Sequence, residues 1–98
     1  MAKYLILWQI DGTKVPVSPQ ERAAMWDPFM SMVEQDLKTG ISKDWGSYVG
    51  ELRGFSIAEG TEVEIGNMLQ RYVPYVQFEV HPVMPTRQVR QVIKALSQ

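Results

Sequence analysis

The sequence predicts an α+β fold in which three amphipathic helices are set among four antiparallel-type strands. Three observations lead there. Ser18-Pro19-Gln20-Glu21 and Thr61-Glu62-Val63-Glu64 are helix starts of the capping-box kind, each followed by apolar residues at helical spacing. Val76, Phe78 and Val80 alternate with Gln77, Glu79 and His81, the pattern of a half-buried strand. Lys3 to Ile10 is a nearly continuous apolar run broken inside only by Gln9, as expected of a strand covered on both faces and central in its sheet.

Taken in order, the first strand stops at the turn residues Asp11-Gly12-Thr13, and a loop runs through Val15, Pro16 and Val17. Ser18 caps the first helix, Pro19 suits its first position, and Glu21 is the reciprocal partner. Trp26, Phe29, Met30, Val33 and Leu37 form its apolar face, and Lys38 and Gly40 its end. Pro28 conflicts with a continuous helix, because its ring removes a backbone hydrogen bond and crowds the preceding turn. A kink near Asp27 is expected, or a short helix followed by a longer one. Trp45–Gly50 and Phe55–Ala58 read as a hairpin joined through Glu51-Leu52-Arg53-Gly54, with Gly46, Gly50 and Gly54 marking bulges or close backbone approach. Ile65, Met68, Leu69 and Tyr72 give the second helix its face, and Pro74 ends it. Pro82 and Pro85 break the last strand, and Thr86 caps a terminal helix with Val89, Val92, Ile93 and Leu96. The order β-α-β-β-α-β plus a C-terminal helix is that of a ferredoxin-like sandwich.

A chain of 98 residues is read as one domain, residues 1–98, large enough to bury roughly two-thirds of its unfolded surface without staples. The absence of cysteine excludes disulfides, thiolate metal ligands and a cysteine nucleophile, and fits a reducing compartment. A net charge of −1 with scattered basic residues offers no polyanion-binding face, so no nucleic-acid partner is expected. The Arg87, Arg90, Lys94 series reads as the solvated face of the last helix. The N-terminal apolar run is too short to span a bilayer and lacks a cleavage signature, so no signal peptide and no membrane partner are read, and the cytoplasm is the expected location.

Both inter-strand helices must cover one sheet face. The other carries Gln77, Glu79 and His81 on the last strand, yet the first strand is apolar on both sides, Leu5 and Leu7 on one and Tyr4, Ile6, Trp8 and Ile10 on the other. A face of this mixed kind suits a second sheet or a ligand cavity. The expectation is a homodimer with sheets packed face to face, the alternative being that the terminal helix folds back over the face.

Several segments carry a resemblance: Tyr4-Leu5-Ile6-Leu7-Trp8, Ser18-Pro19-x-Glu21-Arg22 with Trp26 in the helix that follows, Lys43-Asp44-Trp45-Gly46, Ala58-Glu59-Gly60-Thr61, and Pro74 through Pro82. Together they resemble the dimeric α/β-barrel superfamily, and within it muconolactone-isomerase-like and related small proteins. The resemblance implies a dimeric α/β barrel with a lumen. It selects no activity, since the superfamily includes isomerases, cofactor-free monooxygenases, haem enzymes and proteins without known activity.

Among chemistry-bearing residues, His81 is the one imidazole, and two-residue spacing puts Glu79 on its face of the strand, as an acid/base pair requires. Against this stands the common role of a strand-end histidine that bonds a backbone carbonyl. A metal centre would have to borrow a second copy's histidine, and haem would depend on His81 alone, so no metal and no cofactor are expected. The glycines form no phosphate-cradling loop. Trp8, Gln9, Trp45, Ser47 and Tyr48 are the candidate ligand-binding residues, aromatic walls with a few polar groups around a small planar molecule. Trp26 and the helical methionines Met25, Met30, Met32 and Met68 read as core. Two functions follow as expectations: a small homodimeric protein binding a small organic ligand between its paired sheets, or a cofactor-independent isomerase or monooxygenase acting on a small hydrophobic or aromatic metabolite. Convergence of His81, Glu79, Gln9 and Ser47 on one cavity would favour the enzyme.

Overall fold

A computed structural model describes residues 2–98. Strand β1 (Lys3–Ile10) is followed by a single 3-10 turn, Gly12–Lys14, and helix α1 (Pro19–Thr39). Strands β2 (Ser42–Ser47) and β3 (Arg53–Glu59), helix α2 (Glu62–Gln70), strand β4 (Val76–Val83) and helix α3 (Thr86–Leu96) complete the order. All strand pairs are antiparallel and the sheet order is β2-β3-β1-β4. This is the ferredoxin-like topology, with β1 central as its two-sided apolar character requires.

Local chemistry explains the helix ends. The Ser18 hydroxyl accepts the Glu21 N–H (3.3 Å), Pro19 opens α1, and Gly40 closes it at φ 88°, donating its N–H to the Asp36 carbonyl. That left-handed conformation is one glycine adopts without a Cβ penalty. The Ser18 hydroxyl donates to Gln20 Oε1 (3.0 Å), and the reciprocal bond expected from the Ser18 N–H to the Glu21 side chain is not formed. Thr61 and Glu64 make both bonds of a full capping box on α2. α3 starts one residue beyond its N-cap, Pro85, with no side-chain cap from Thr86.

Several elements differ in extent from expectation, among them β3, which takes in Arg53 and Gly54 where a turn was expected. α1 runs through Pro28 as one helix. Pro28 and Ala24, whose carbonyl loses its usual donor, are both exposed, so water can satisfy that carbonyl. β2 lies three residues earlier than predicted, because the chain turns at Tyr48–Leu52: Glu51 N–H bonds the Tyr48 carbonyl, Tyr48 N–H bonds the Arg53 carbonyl, and Gly50 sits at φ 77°. A register shift between Ser42 and Asp44 accommodates the change. β4 continues through Pro82, which pairs with Tyr4, because β4 is an edge strand and an edge tolerates a residue without an N–H.

The pairing registers sort the side chains. Ile6 and Trp8 of β1, Gly54, Ser56 and Ala58 of β3, and Val76 and Phe78 of β4 share the face under α1 and α2. Two clusters build the core there. One joins Ile6, Ala58, Ile65 and Met68; the other joins Trp8, Val33, Tyr72 and Val76. The Trp8 ring lies over Gly54, where a Cβ would meet it at 2.6 Å and also strike the Gly46 carbonyl. The expected close approach is found at Gly54 and also at Gly46, where a Cβ would meet the Phe55 ring at 2.6 Å. Of the predicted core residues, Met68 is fully buried, Met25, Trp26 and Met32 are partly so, and Met30 is 39% exposed. Val80, expected against the helices, is also 39% exposed, beyond their cover.

The opposite face is uncovered. It presents Leu5, Leu7, Phe55 and Ile57 at its centre and Gln9, Arg53, Glu59, Gln77, Glu79 and His81 around them. The fold-back of α3 onto this face does not occur. α3 has no buried residue, and the radius of gyration is 16.3 Å, against about 13 Å for a compact chain of this length. Its Val92, Ile93 and Leu96 are 45–80% exposed. Among the described residues no helix is long and apolar enough to cross a membrane.

Gly54→Ala is expected to lower stability by about 2 kcal/mol, the cost of forcing a methyl group into a filled site; denaturant unfolding measures it, and an unchanged midpoint would contradict the Trp8–Gly54 packing.

Candidate functional site

The sheet divides the predicted site residues between two places. On the helix side, Trp8 and Trp45 stack with ring centroids 5.3 Å apart and planes within 8°. Trp45 opposes Ser56, and Ser47 opposes Gly54, so both belong to this face. Together with Trp26, Phe29 and Tyr72 they line a cavity of about 320 Å³ between α1 and the sheet, its rim reaching Glu51 and Leu52 of the β2–β3 turn. On the open side, Gln9, Tyr48, Arg53, Gln77 and Glu79 surround a shallower depression beside Leu7. Trp45 and Tyr48 thus end on opposite faces, as alternation required.

The five candidate ligand residues do not share one cavity. Trp8, Trp45 and Ser47 turn to the helices, and Gln9 and Tyr48 turn away, as alternation between neighbours on β1 and the odd spacing of Trp45 and Tyr48 require. His81, Glu79, Gln9 and Ser47 likewise fail to converge, since Ser47 lies across the sheet from the others.

His81 and Glu79 do meet. Nε2 of His81 is 2.6 Å from Oε2 of Glu79, beside Leu5 and Leu7 of β1. Their side chains are 51% and 65% exposed, so in the single chain water screens the pair and its contribution to stability is small. Among the described residues no three His, Asp or Glu side chains gather as a metal site would need.

A cluster absent from the predicted set borders the helix-side cavity. Asp36 of α1 is buried, and both its carboxylate oxygens accept from Nη2 of Arg71, at 2.6 and 2.7 Å. The Tyr72 hydroxyl donates to Oδ2 at 3.1 Å, and the Arg71 guanidinium lies 5.5 Å from the Tyr72 ring centroid. Burial, reinforced by the Asp36 charge, pushes the Tyr72 hydroxyl well above the usual phenol range. The signal was in the spacing: Asp36 continues the series Phe29, Val33 at helical intervals and so points inward, where a carboxylate needs a partner.

The Asp36–Arg71 pair sets two expectations. Asp36→Asn is expected to cost about 2 kcal/mol in denaturant unfolding, less than a fully buried pair because the Arg71 side chain is 41% exposed. Tyr72 keeps its proton in the folded chain above the value near 10 at which an unfolded tyrosine ionises. Its stabilising contribution is therefore complete below about pH 10 and is lost as pH rises from there through the folded value. Phenolate absorbance should show one tyrosine titrating late, and Tyr72→Phe should remove that component. Similarity offers no further constraint on the site: no protein-family profile and no curated protein sequence matches this chain.

Proposed function

We propose that this chain works as a homodimer of the dimeric α/β-barrel kind, two copies pairing their open sheet faces, and that it binds a small organic ligand. The carrying observation is the face itself: Leu5, Leu7, Phe55 and Ile57 form an apolar centre within a polar border. That is the anatomy of an interface core and rim. A second copy is the occupant that supplies a matching surface by symmetry, since a two-fold contact uses the same patch twice.

The unpartnered helix supports the same reading. α3 carries Arg87, Arg90 and Lys94, three of the ten basic residues, and none of the eleven acidic ones. The rest of the chain holds seven basic against eleven acidic groups, a net of −4. An apolar stripe with a cationic flank, held off its own body, is matched to the anionic body of a partner.

A second reading rests on the 2.6 Å contact between His81 and Glu79. Covered by a second sheet, the two would lie in a water-poor lumen, where a carboxylate-oriented imidazole can move a proton. A cofactor-independent isomerase or monooxygenase acting on a small hydrophobic or aromatic metabolite needs such a pair.

Light scattering after gel filtration at low micromolar concentration should return twice the 11.2 kDa chain mass, and Leu7→Glu, a charge at the centre of the face, should return the single mass. A wild-type monomer overturns the dimer. For the enzymatic reading, a small aromatic lactone added to the dimer should shift the His81 ring-carbon resonances at fixed pH, and Glu79→Gln should weaken that response. Resonances that do not move would remove it.

A further inference from the structure

The helix-side cavity lies across the sheet from the proposed dimer face, and its chemistry stands independently of that proposal. It exists because the first half of α1 stands off the sheet. Val33 and Asp36, in the second half, are the buried residues of α1, whereas Trp26 and Phe29 are only partly covered and Met30 is 39% exposed. Protein interiors close voids larger than a water molecule, so a space of about 320 Å³ beside the core falls in the size range of small-molecule sites.

The lining selects by shape and charge. Trp8 and Trp45, stacked and nearly parallel, and the rings of Trp26, Phe29 and Tyr72 provide flat apolar walls. Among the described residues no lysine or arginine lines the space. Its one buried carboxylate, Asp36, is already taken by Arg71 and Tyr72, and Glu51 at the rim is bonded to Arg53 at 2.8 Å. A carboxylate or phosphate entering here would lose its hydration with no cation to receive it. Trp45 and Ser47 also line the space with polar groups, but these are open to water, and among the described residues one buried donor is left over. The indole N–H of Trp26 is buried and has no acceptor, whereas that of Trp8 is bonded to the Phe55 carbonyl. A buried donor without a partner is uncommon in a folded chain and marks a place where an acceptor belongs.

We infer that the space beneath α1 is a binding site for a neutral, planar, largely apolar molecule carrying one hydrogen-bond acceptor, such as an aromatic ketone, with Trp26 as the residue that recognises the acceptor. The aromatic walls hold the ring system, the missing cation excludes acids, and the Trp26 N–H separates a ketone from a hydrocarbon of the same shape.

The chain has three tryptophans, so the intact protein labelled with nitrogen-15 shows one indole N–H resonance for each. Titration with chromone, a neutral planar ketone, should shift the Trp26 resonance saturably. Naphthalene, similar in shape but lacking the acceptor, should bind about tenfold more weakly, the effect of one hydrogen bond of about 1.4 kcal/mol. Chromone-2-carboxylate should not bind. Trp26→Phe should weaken chromone by the same factor, and Leu7→Glu on the far face should leave it unchanged. The inference is overturned if chromone moves none of the indole resonances, if naphthalene or the carboxylate binds as well as chromone, or if Leu7→Glu abolishes binding. A chain that proves monomeric yet binds chromone in this way removes the dimer and retains the cavity site.

Discussion

The arrangement depends on β1. It is hydrogen-bonded along both edges, to β3 and β4, and it presents apolar side chains on both faces. A strand of that character requires two covers, because each face buries apolar area only against something else. The two inter-strand helices supply one. The chain supplies no second, since its remaining helix stands apart. The open face and the unpartnered helix are thus two results of one deficit.

The single cover is itself uneven. Where α1 and α2 meet, the Asp36 carboxylate is shared by Arg71 and Tyr72, and this polar joint fixes the C-terminal half of α1 against the end of α2. The Thr61–Glu64 box sets where α2 begins, and Ile65 and Met68 pack it onto Ile6 and Ala58. Midway along α1, Phe29 contacts Tyr72 and Tyr75 through tilted rings, and N-terminal to it the described residues of the helix are at most partly covered. A helix pinned at one end above a twisted sheet leaves a wedge, and the large aromatic side chains at its N-terminal half line that wedge without filling it.

Topology was legible where periodicity and capping agreed. Lys3–Ile10 has its predicted limits, and Val76, Phe78 and Val80 fall on one side of β4 with Gln77, Glu79 and His81 on the other. The hairpin was less legible. Gly46 and Gly54 read as weak points of a strand, but Gly54 is the seat of the Trp8 ring, a contact between residues distant in the chain that local propensity does not encode. Alternation put Trp45 and Tyr48 on opposite faces, but which of them meets the helices is set by the β2–β3 register, which pairs Trp45 with Ser56 and which the sequence alone left open. Pro28 did not divide α1 into two helices, because the carbonyl that loses its donor belongs to an exposed residue, Ala24, where water can satisfy it. The Glu79–His81 contact followed from spacing alone, whereas the Asp36 cluster joins two helices and needed the tertiary fold to appear.

The proline in β4 bears on how such a chain can associate without aggregating. Both outer strands are poor templates for strand addition: β4 carries Pro82, which has no N–H to offer a neighbour, and β2 begins with an irregular register at Ser42–Asp44. Contact edge to edge could continue from copy to copy into a fibre, with each new molecule exposing a fresh edge. Contact face to face ends at two, because the second molecule uses the one surface it has. Obstructing the edges while leaving a face bare therefore disfavours open-ended growth and leaves the closed pair proposed above as the geometry that such a surface permits.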